Sequence, residues 1–365
     1  MRRKASMIPL QRRICERMTS RLRSRPAPPL LPSAGVPAGL RLAGILSAGG
    51  IPSRMPGEAG TCLQIATGAV VPEGADAVVP VEETRREDGR ILFTSPARAG
   101  QHTIGRGEDA ARGDPLLRAG EVLTSGRIGA AAAAGIPAIE VFRRPSVFLL
   151  TTGDELVGTG SPIAPHQVYE SNGAVLSALA RACGCAVSGS ARAPDDLDAI
   201  RRAVEASGWP DFLPFTGGSS VGERDFTLDA ITTLGKLQFR GIRVKPGKPA
   251  LFGRVGPDLR TRVFGLPGYP ASCHLVAHAL AAPAFRKAAG FPDPRPFRAR
   301  LAAALSSLKG RTDFVPVRVA DGVAHSTFRG SHAVTSVSAA DGWLTIPEPV
   351  ERLEAGQEVE IRPVD

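Results

Sequence analysis

Apolar positions along this chain fall into short blocks separated by glycine-rich turns. Residues 146–150 (SVFLL) are apolar almost throughout, the pattern of a strand covered on both faces, and they run into Thr-Thr-Gly-Asp-Glu-Leu. From 173 to 183 the period becomes helical, with Val175, Leu176 and Leu179 on one face. Residues 211–215 repeat the strand pattern ahead of Thr-Gly-Gly-Ser-Ser-Val-Gly, and 226–234 repeat the helical one. A third strand block, 263–266, is closed by Pro-Gly-Tyr-Pro and followed by a helix from 272 to about 281. Strand, glycine-rich turn and helix recurring at this spacing predict parallel βαβ units. In such sheets the ligand site lies beyond the carboxyl ends of the strands, where all three turns fall.

The flanks read differently. Between 61 and 81 short apolar runs alternate with Gly, Pro and Asp, and 91–93 is a strand candidate after the turn Glu87-Asp88-Gly89. GRIGAAAAAG (126–135) predicts a short helix closed by Gly135 and Pro137. Strand patterns at 315–319, 333–337, 343–346 and 358–361 predict a separate all-β module at the C-terminus. Residues 8–24 have the pattern of a basic helix, and 25–40 are broken by Pro26, Pro28, Pro29 and Pro32. The expected fold class is α/β plus β. It comprises an atypical Arg- and Pro-rich 1–60, a β domain at 61–100, a linker with a helix at 101–143, a central parallel-sheet α/β domain at 144–290 and a barrel-like β domain at 291–365.

Composition changes this picture little. The 365 residues are 43% hydrophobic, enough for a sizeable core, and no apolar run reaches the ~18–20 residues of a membrane span. A net charge of +10 raises the question of a nucleic-acid partner, but the first 25 residues hold nine basic side chains against Glu16 alone. The rest of the chain is close to neutral, so no nucleic-acid surface and no membrane partner are expected. The arginine-rich, acid-poor start reads as mis-assigned or truncated in preference to a transit peptide. Five cysteines, an odd number without CxxC spacing, point to free thiols in a reducing, cytoplasmic setting.

The candidate chemistry sits in the turns. In Gly217-Gly218-Ser219-Ser220 the glycines let backbone N–H groups approach an anion and the hydroxyls add uncharged donors, although a tight strand-to-helix connection uses the same residues. Only six of the 45 basic residues are lysines, and two of the six stand in Lys245-Pro246-Gly247-Lys248-Pro249. A compact ammonium suits a small tetrahedral oxyanion better than the wide guanidinium fork, and the prolines are expected to hold the loop extended. Asp154 and Glu155 end a buried strand, where a carboxylate holds Mg²⁺, accepts from a substrate or caps a helix. Ser272, after Pro267-Gly268-Tyr269-Pro270, has the position of a helix N-cap. Thr67 and Asp109 lie in glycine-containing loops and read as turn residues. His274 and His278 stand at i and i+4 without a third ligand nearby, and no Ser-His-Asp or Cys-His arrangement emerges.

Seven segments taken together carry a resemblance: IATGAVVPEGADAVVPVEE (65–83), GRGED (105–109), TTGDEL (151–156), YESN (169–172), TGGSSVGERD (216–225), VKPGKP (244–249) and GLPGYPAS (265–272). In this order they resemble the MoeA and gephyrin E-domain family, the molybdopterin molybdenumtransferases, from about residue 60 to the C-terminus. The resemblance implies an enzyme of molybdenum cofactor synthesis that takes adenylylated molybdopterin and molybdate, inserts the metal into the dithiolene and releases AMP with Mg²⁺ assisting. It also implies a homodimer built on a molybdopterin-binding α/β domain, with the adenylyltransferase of the preceding step as a further partner.

Carried over residue by residue, the resemblance makes Lys245 and Lys248 ligands of molybdate and phosphate. Asp154 becomes a catalytic and Mg²⁺-binding acid, with Glu155 beside it. Gly217, Gly218, Ser219, Ser220, Asp225 and Asn172 line the substrate site, and Pro267, Gly268, Pro270 and Ser272 close it. Thr67 and the catalytic acid Asp109 face it from the partner subunit. The family's DNSAMDGYA-type signature has no counterpart in residues 1–60. Either the start is wrong or frameshifted, or the chain is a catalytically impaired molybdopterin-binding or carrier paralogue; an adenylyltransferase-like enzyme is a separate alternative.

Overall fold

The computed structural model describes residues 39–51, 60–75, 77–217 and 226–364. The chain divides into two compact units, Met1–Arg118 and Ala119–Asp365. The basic helix expected at 8–24 lies outside the described residues.

In the first unit β1 (Leu40–Leu46), β2 (Thr61–Ile65), β3 (Thr84–Glu87) and β4 (Arg90–Phe93) form one sheet in the order β2-β1-β4-β3. The hairpin of β3 and β4 turns at Asp88 and Gly89, whose φ values of 47° and 76° match the twist of the paired strands. Thr67 and Asp109 are exposed in turns of this unit.

The second unit opens with α1 (Ser125–Ala133), where Thr124 Oγ1 accepts from the Arg127 N–H. Then come β5 (Ser146–Thr152), the small ladder of β6 (Leu156–Val157) and β7 (Val168–Tyr169), α2 (Asn172–Ala182), β8 (Ala186–Ala193) and α3 (Leu197–Ala206). They are followed by β9 (Phe212–Thr216), α4 (Phe226–Leu234), β10 (Gly235–Arg240), β11 (Val244–Lys245), β12 (Leu251–Val255) and β13 (Thr261–Leu266). A six-stranded sheet has the order β10-β12-β13-β9-β5-β8. The strands β13, β9 and β5 are parallel as the sequence pattern predicts, β8 joins them in parallel without having been expected, and β12 and β10 add an antiparallel edge. The chain leaves β5 to one side for β8 and then crosses to the other side for β9. The crevice beyond the carboxyl ends of β5 and β9 is therefore a topological switch point.

Alternate residues of the buried strands serve opposite faces. Val147, Leu149, Phe212 and Phe264 pack under α2, α5 (Pro270–Val276) and α6 (Ala282–Ala289), while Leu150, Leu213 and Phe215 pack under α3 and α4. Between α5 and α6 the helix widens to a π turn over Ala277–Ala281. Pro283 has no N–H to bond the carbonyl of Ala279, and its ring crowds that carbonyl, so the wider turn lets the helix continue past the expected end at 281.

The C-terminal part contains β14 (Phe297–Leu301), β15 (Leu305–Ser306), β16 (Thr312–Ala320), β17 (Val323–Ser326), α7 (Thr335–Ser338), β18 (Gly342–Ile346), β19 (Arg352–Leu353) and β20 (Glu358–Pro363). Strand order β16-β17-β14-β20-β18 closes on itself through β16 and β18 around Leu301, Val317, Leu344 and Ile361. The strand expected at 333–337 is instead α7, because Val334 and Val337 use helical i,i+3 spacing and Ser336 Oγ ties down the Arg329 N–H at 2.8 Å. Val337 and Trp343 join Ala271 and Leu275 in one buried cluster between the barrel and α5. Among the described residues no helix is long and apolar enough to cross a membrane.

One side chain fastens the amino edge of the parallel sheet. The Asp211 carboxylate accepts from both Arg143 Nη atoms at 2.7 and 2.9 Å, from the Ser146 N–H at 2.6 Å and from the Ser146 hydroxyl at 2.9 Å. Its own N–H and carbonyl reach Ser146 Oγ and the Arg262 N–H, so it joins the starts of β5, β9 and β13. The Arg143 guanidinium, ahead of the Ser146 donors, holds this carboxyl down at about 2. A depressed carboxylate stabilises the fold fully above its unfolded pKa and loses that contribution as pH falls towards the folded value. We expect Asp211→Asn to cost about 1–2 kcal/mol in urea titrations at pH 7 and progressively less between pH 4 and pH 2.

His278, in the π turn, is buried 4.6 Å from the His274 ring and 5.3 Å from Trp343. Burial first, then His274 and Arg286, pushes it down to about 3, so it is neutral in the fold. The unfolded chain takes up this proton near pH 6.5 and the folded one does not, so His278 lowers stability as pH falls below 6.5. His278→Leu is expected to flatten that part of the stability–pH curve, measured by urea titration from pH 7 to pH 5.

Candidate active site

The switch-point crevice is built by backbone contact between turns. Gly217, at the end of β9, has φ of 95°, and a β-carbon on it would lie 2.0 Å from the Thr152 carbonyl oxygen of β5. Gly268, after β13, stands next to it: its own β-carbon would sit 3.8 Å from the Gly217 Cα. Asn172 opens α2 and donates from Nδ2 to the Gly268 carbonyl at 2.8 Å, while buried Thr227 donates its hydroxyl to the Gly217 carbonyl at 3.0 Å. Three strand ends and the starts of two helices are thus locked together around one point. Among the described residues Asn172 Oδ1 is buried there without a hydrogen-bond partner.

The lysine loop joins the same assembly. Hydrogen bonds from the Ile242 N–H to the Lys248 carbonyl at 2.9 Å and from the Ala250 N–H to the Gly247 carbonyl at 3.1 Å close it. Gly247 has φ of 111°, and a β-carbon there would meet Val276 Cγ2 at 2.0 Å and Pro267 Cγ at 3.7 Å. The loop therefore rests on α5 and on the turn that precedes it. Pro246 and Gly247 are buried, and Lys245 and Lys248 are exposed. The Lys245–Pro246 peptide is cis. Among the described residues neither ammonium lies in an ion pair with a carboxylate.

An acidic patch stands at the β5 end. Glu155 folds back over Gly153, whose β-carbon would come within 2.6 Å of Glu155 Oε2, and Asp154 Oδ1 accepts from the Asp195 N–H at 3.3 Å. Asp195 comes from the end of β8 and was not among the residues the sequence singled out. Its carboxyl is raised by burial first and then by Asp154 and Glu155, with a hydrogen bond from Thr152 acting the other way. Pro194-Asp195-Asp196 at a strand-to-helix turn was the available signal. The strand before it, AVSGSARA, alternates polar and apolar residues as an edge strand does, and so escaped a search for apolar blocks.

Other expectations come out differently. Ser272 is buried in the first turn of α5, which begins two residues earlier at Pro270, so the N-cap position belongs to Tyr269. Gly218, Ser219, Ser220 and Asp225 lie outside the described residues. Thr67 and Asp109 belong to the first unit. Burial pushes the Cys185 thiol up to about 12 and also raises Cys273, so neither offers a thiolate nucleophile at neutral pH.

Comparison with known proteins gives this geometry a family. Residues 30–135 match the MoeA N-terminal region (domain I and II), 148–287 a probable molybdopterin binding domain and 298–364 the MoeA C-terminal region (domain IV). Molybdopterin molybdenumtransferase 2 of Mycobacterium tuberculosis is 35% identical over 321 residues, 82% of this chain and 76% of its own length. The chain belongs to the MoeA family. A second MoeA-family relative, the molybdopterin molybdenumtransferase of Haemophilus influenzae, is 32% identical over 83% of this chain and 77% of its own. The solved molybdopterin biosynthesis MoeA protein from Pyrococcus horikosii superposes with a TM-score of 0.74 at 34% identity, covering 89% of this chain and 81% of that one. The MoeA N-terminal match begins at residue 30, about thirty residues ahead of the first recognisable motif, and corrects the expectation of a resemblance confined to 60 onward.

The backbone contact at Gly217 generates a direct test. In Gly217→Ala the new methyl has no place against the Thr152 carbonyl and the backbone has positive φ, so we expect a loss of about 2–4 kcal/mol in denaturant titrations. Gly208→Ala, at a positive-φ glycine with open space around its β-carbon position, is expected to cost only about 1 kcal/mol.

Proposed function

We propose that this chain is a molybdopterin molybdenumtransferase that takes adenylylated molybdopterin and molybdate, transfers the metal to the dithiolene and releases AMP. The observation that carries this reading is the seating of the Lys245–Lys248 loop on the Pro267–Gly268 turn, through Gly247 against Val276 and Pro267. It sets the loop that carries both lysines next to the glycine turn after β13. Identity of 35% to a molybdopterin molybdenumtransferase over most of both chains supports it. MoeA-type regions on both sides of the α/β domain favour it over a single-domain adenylyltransferase.

In this reading the protein works by placement and charge. Molybdate and the adenylylated substrate are both anions and repel each other. Lys245 and Lys248 neutralise that repulsion, and the Gly217 and Gly268 turns let backbone approach the phosphates closely. Asn172 Oδ1 is available to accept from an N–H of the pterin. Asp109 and Thr67 act from a second copy of the chain in a cytoplasmic homodimer, with the adenylyltransferase of the preceding step as a partner.

Mg²⁺ fits the donors present. Asp154, Glu155, Asp195 and Thr152 all offer oxygen donors, and the Asp195 carboxyl is raised by burial first and then by the two neighbouring acids. Among the described residues no three acids form a ready-made cage. Asp154 and Glu155 would hold the ion with substrate phosphate oxygens completing its shell, as Mg²⁺ commonly requires. Bound there it supplies positive charge for the phosphates as AMP departs.

Lys245→Ala and Lys248→Ala are each expected to raise the molybdate KM at least about tenfold, a loss of about 1.4 kcal/mol or more. Their melting temperatures should stay within about 2 °C of the parent, because both side chains are exposed. AMP release from adenylylated molybdopterin is the assay. Unchanged turnover of both variants at low molybdate overturns the anion-site assignment, and tight substrate binding by the parent without AMP release supports the carrier reading instead.

A further inference from the structure

We propose that the C-terminal barrel is a positioning part of the anion site: β16 carries the lysine strand, and the Ser331 turn holds the start of α5. This rests on the assignment of Lys245 and Lys248 as anion ligands. Strand β11 comprises only Val244 and Lys245 and pairs with the barrel, in parallel register Val244↔Thr312 and Lys245↔Asp313. The Thr312 N–H donates to the Arg243 carbonyl at 2.8 Å.

The barrel has a vacancy of the right size at this place. β17 pairs with β16 only over Val317–Ala320, whereas β18 runs along the other edge from Asp313 to Val317. The first residues of β16 would keep an open edge on the β17 side, and β11 fills it. One charge pair crosses the seam, Arg243 to Glu348 at 3.2 Å, and on the barrel side Arg311 Nε holds Asp313, only 5% exposed, at 3.0 Å. The Gly310 N–H donates to the Glu348 carbonyl at 3.1 Å, tying that partner back to the seam.

A second attachment reaches the opposite wall of the crevice. The Ala271 N–H, in the first turn of α5, donates to the Ser331 carbonyl at 3.1 Å, and Ala271 and Leu275 are buried against Val337 and Trp343. The barrel thus grips both loops that flank the candidate anion site, the one carrying the lysines and the one it rests on. Among the described residues no ion pair with a carboxylate holds either exposed lysine, so the backbone position decides where their ammonium groups can reach. A displacement of about 1 Å in such a site costs on the order of a hundredfold in rate.

The test removes the seam without touching a site residue. Thr312→Pro deletes the donor to Arg243, and in the full-length protein it is expected to raise the molybdate KM about tenfold with the KM for adenylylated molybdopterin unchanged within twofold. Leu301→Ala weakens the barrel core away from β11 and should lower the melting temperature while leaving the molybdate KM unchanged. A folded Thr312→Pro protein with the parental molybdate KM overturns the proposal, and so does a Leu301→Ala protein with a KM raised as far as that of Thr312→Pro. If Thr312→Pro does not fold, Glu348→Arg places two arginines together at the seam. It should raise the molybdate KM severalfold, and adding Arg243→Glu should restore it; no rise, or no restoration, overturns the proposal. Lys245→Ala, measured alongside, separates the two assignments: if it leaves the molybdate KM unchanged, the lysine reading itself has failed.

Discussion

A side chain at position 217 would occupy the space of the Thr152 carbonyl, and the arrangement of the crevice depends on that exclusion. With hydrogen alone on its Cα, the turn after β9 lies directly on the end of β5, and Gly268 then closes in from β13. Asn172 and Thr227 bond the carbonyls of these two glycines, so α2 and α4 start where the turns require. Glycine at such a point stores no strain at positive φ and admits backbone where other residues would keep it out. The acids of β5 and β8 and the lysine loop stand around the frame that results.

Opposite ends of the parallel sheet are treated differently. At the amino edge, Asp211 spends its hydrogen-bonding capacity on Arg143, Ser146 and Arg262 and leaves nothing for a ligand. At the carboxyl edge Thr152 stands against the Asp195 carboxyl, and among the described residues Asn172 Oδ1 is buried without a partner. Buried polar atoms are normally satisfied, so an acceptor left open at this end makes it the one where binding is to be expected. The same contrast separates two carboxylates: Asp211 is held below the ordinary range by its donors, and Asp195 is raised by burial and neighbouring acids.

Much of this was legible along the chain, for identifiable reasons. Strands buried on both faces write continuous apolar blocks, so β5, β9 and β13 stood out together with the glycine turns that follow them. Lysine in an arginine-rich chain drew attention to the loop at 245–248. Strand β8 went unnoticed because an edge strand alternates, and Asp195 was lost with it. The segment at 333–337 was misread because a single helical turn and a short strand offer nearly the same apolar count, and only the i,i+3 spacing of Val334 and Val337 separates them.

The sequence by itself determined the parallel α/β core, the C-terminal β module and the turns that gather at one sheet edge, because periodicity and glycine placement are local properties. Tertiary structure decided which turns touch, that β12 and β10 extend the sheet antiparallel, and that Val244 and Lys245 pair with a strand almost seventy residues away. A two-residue strand has no periodicity to read. Its partner is chosen by an edge left free in a barrel that exists only once the chain has closed, and no local pattern encodes that vacancy.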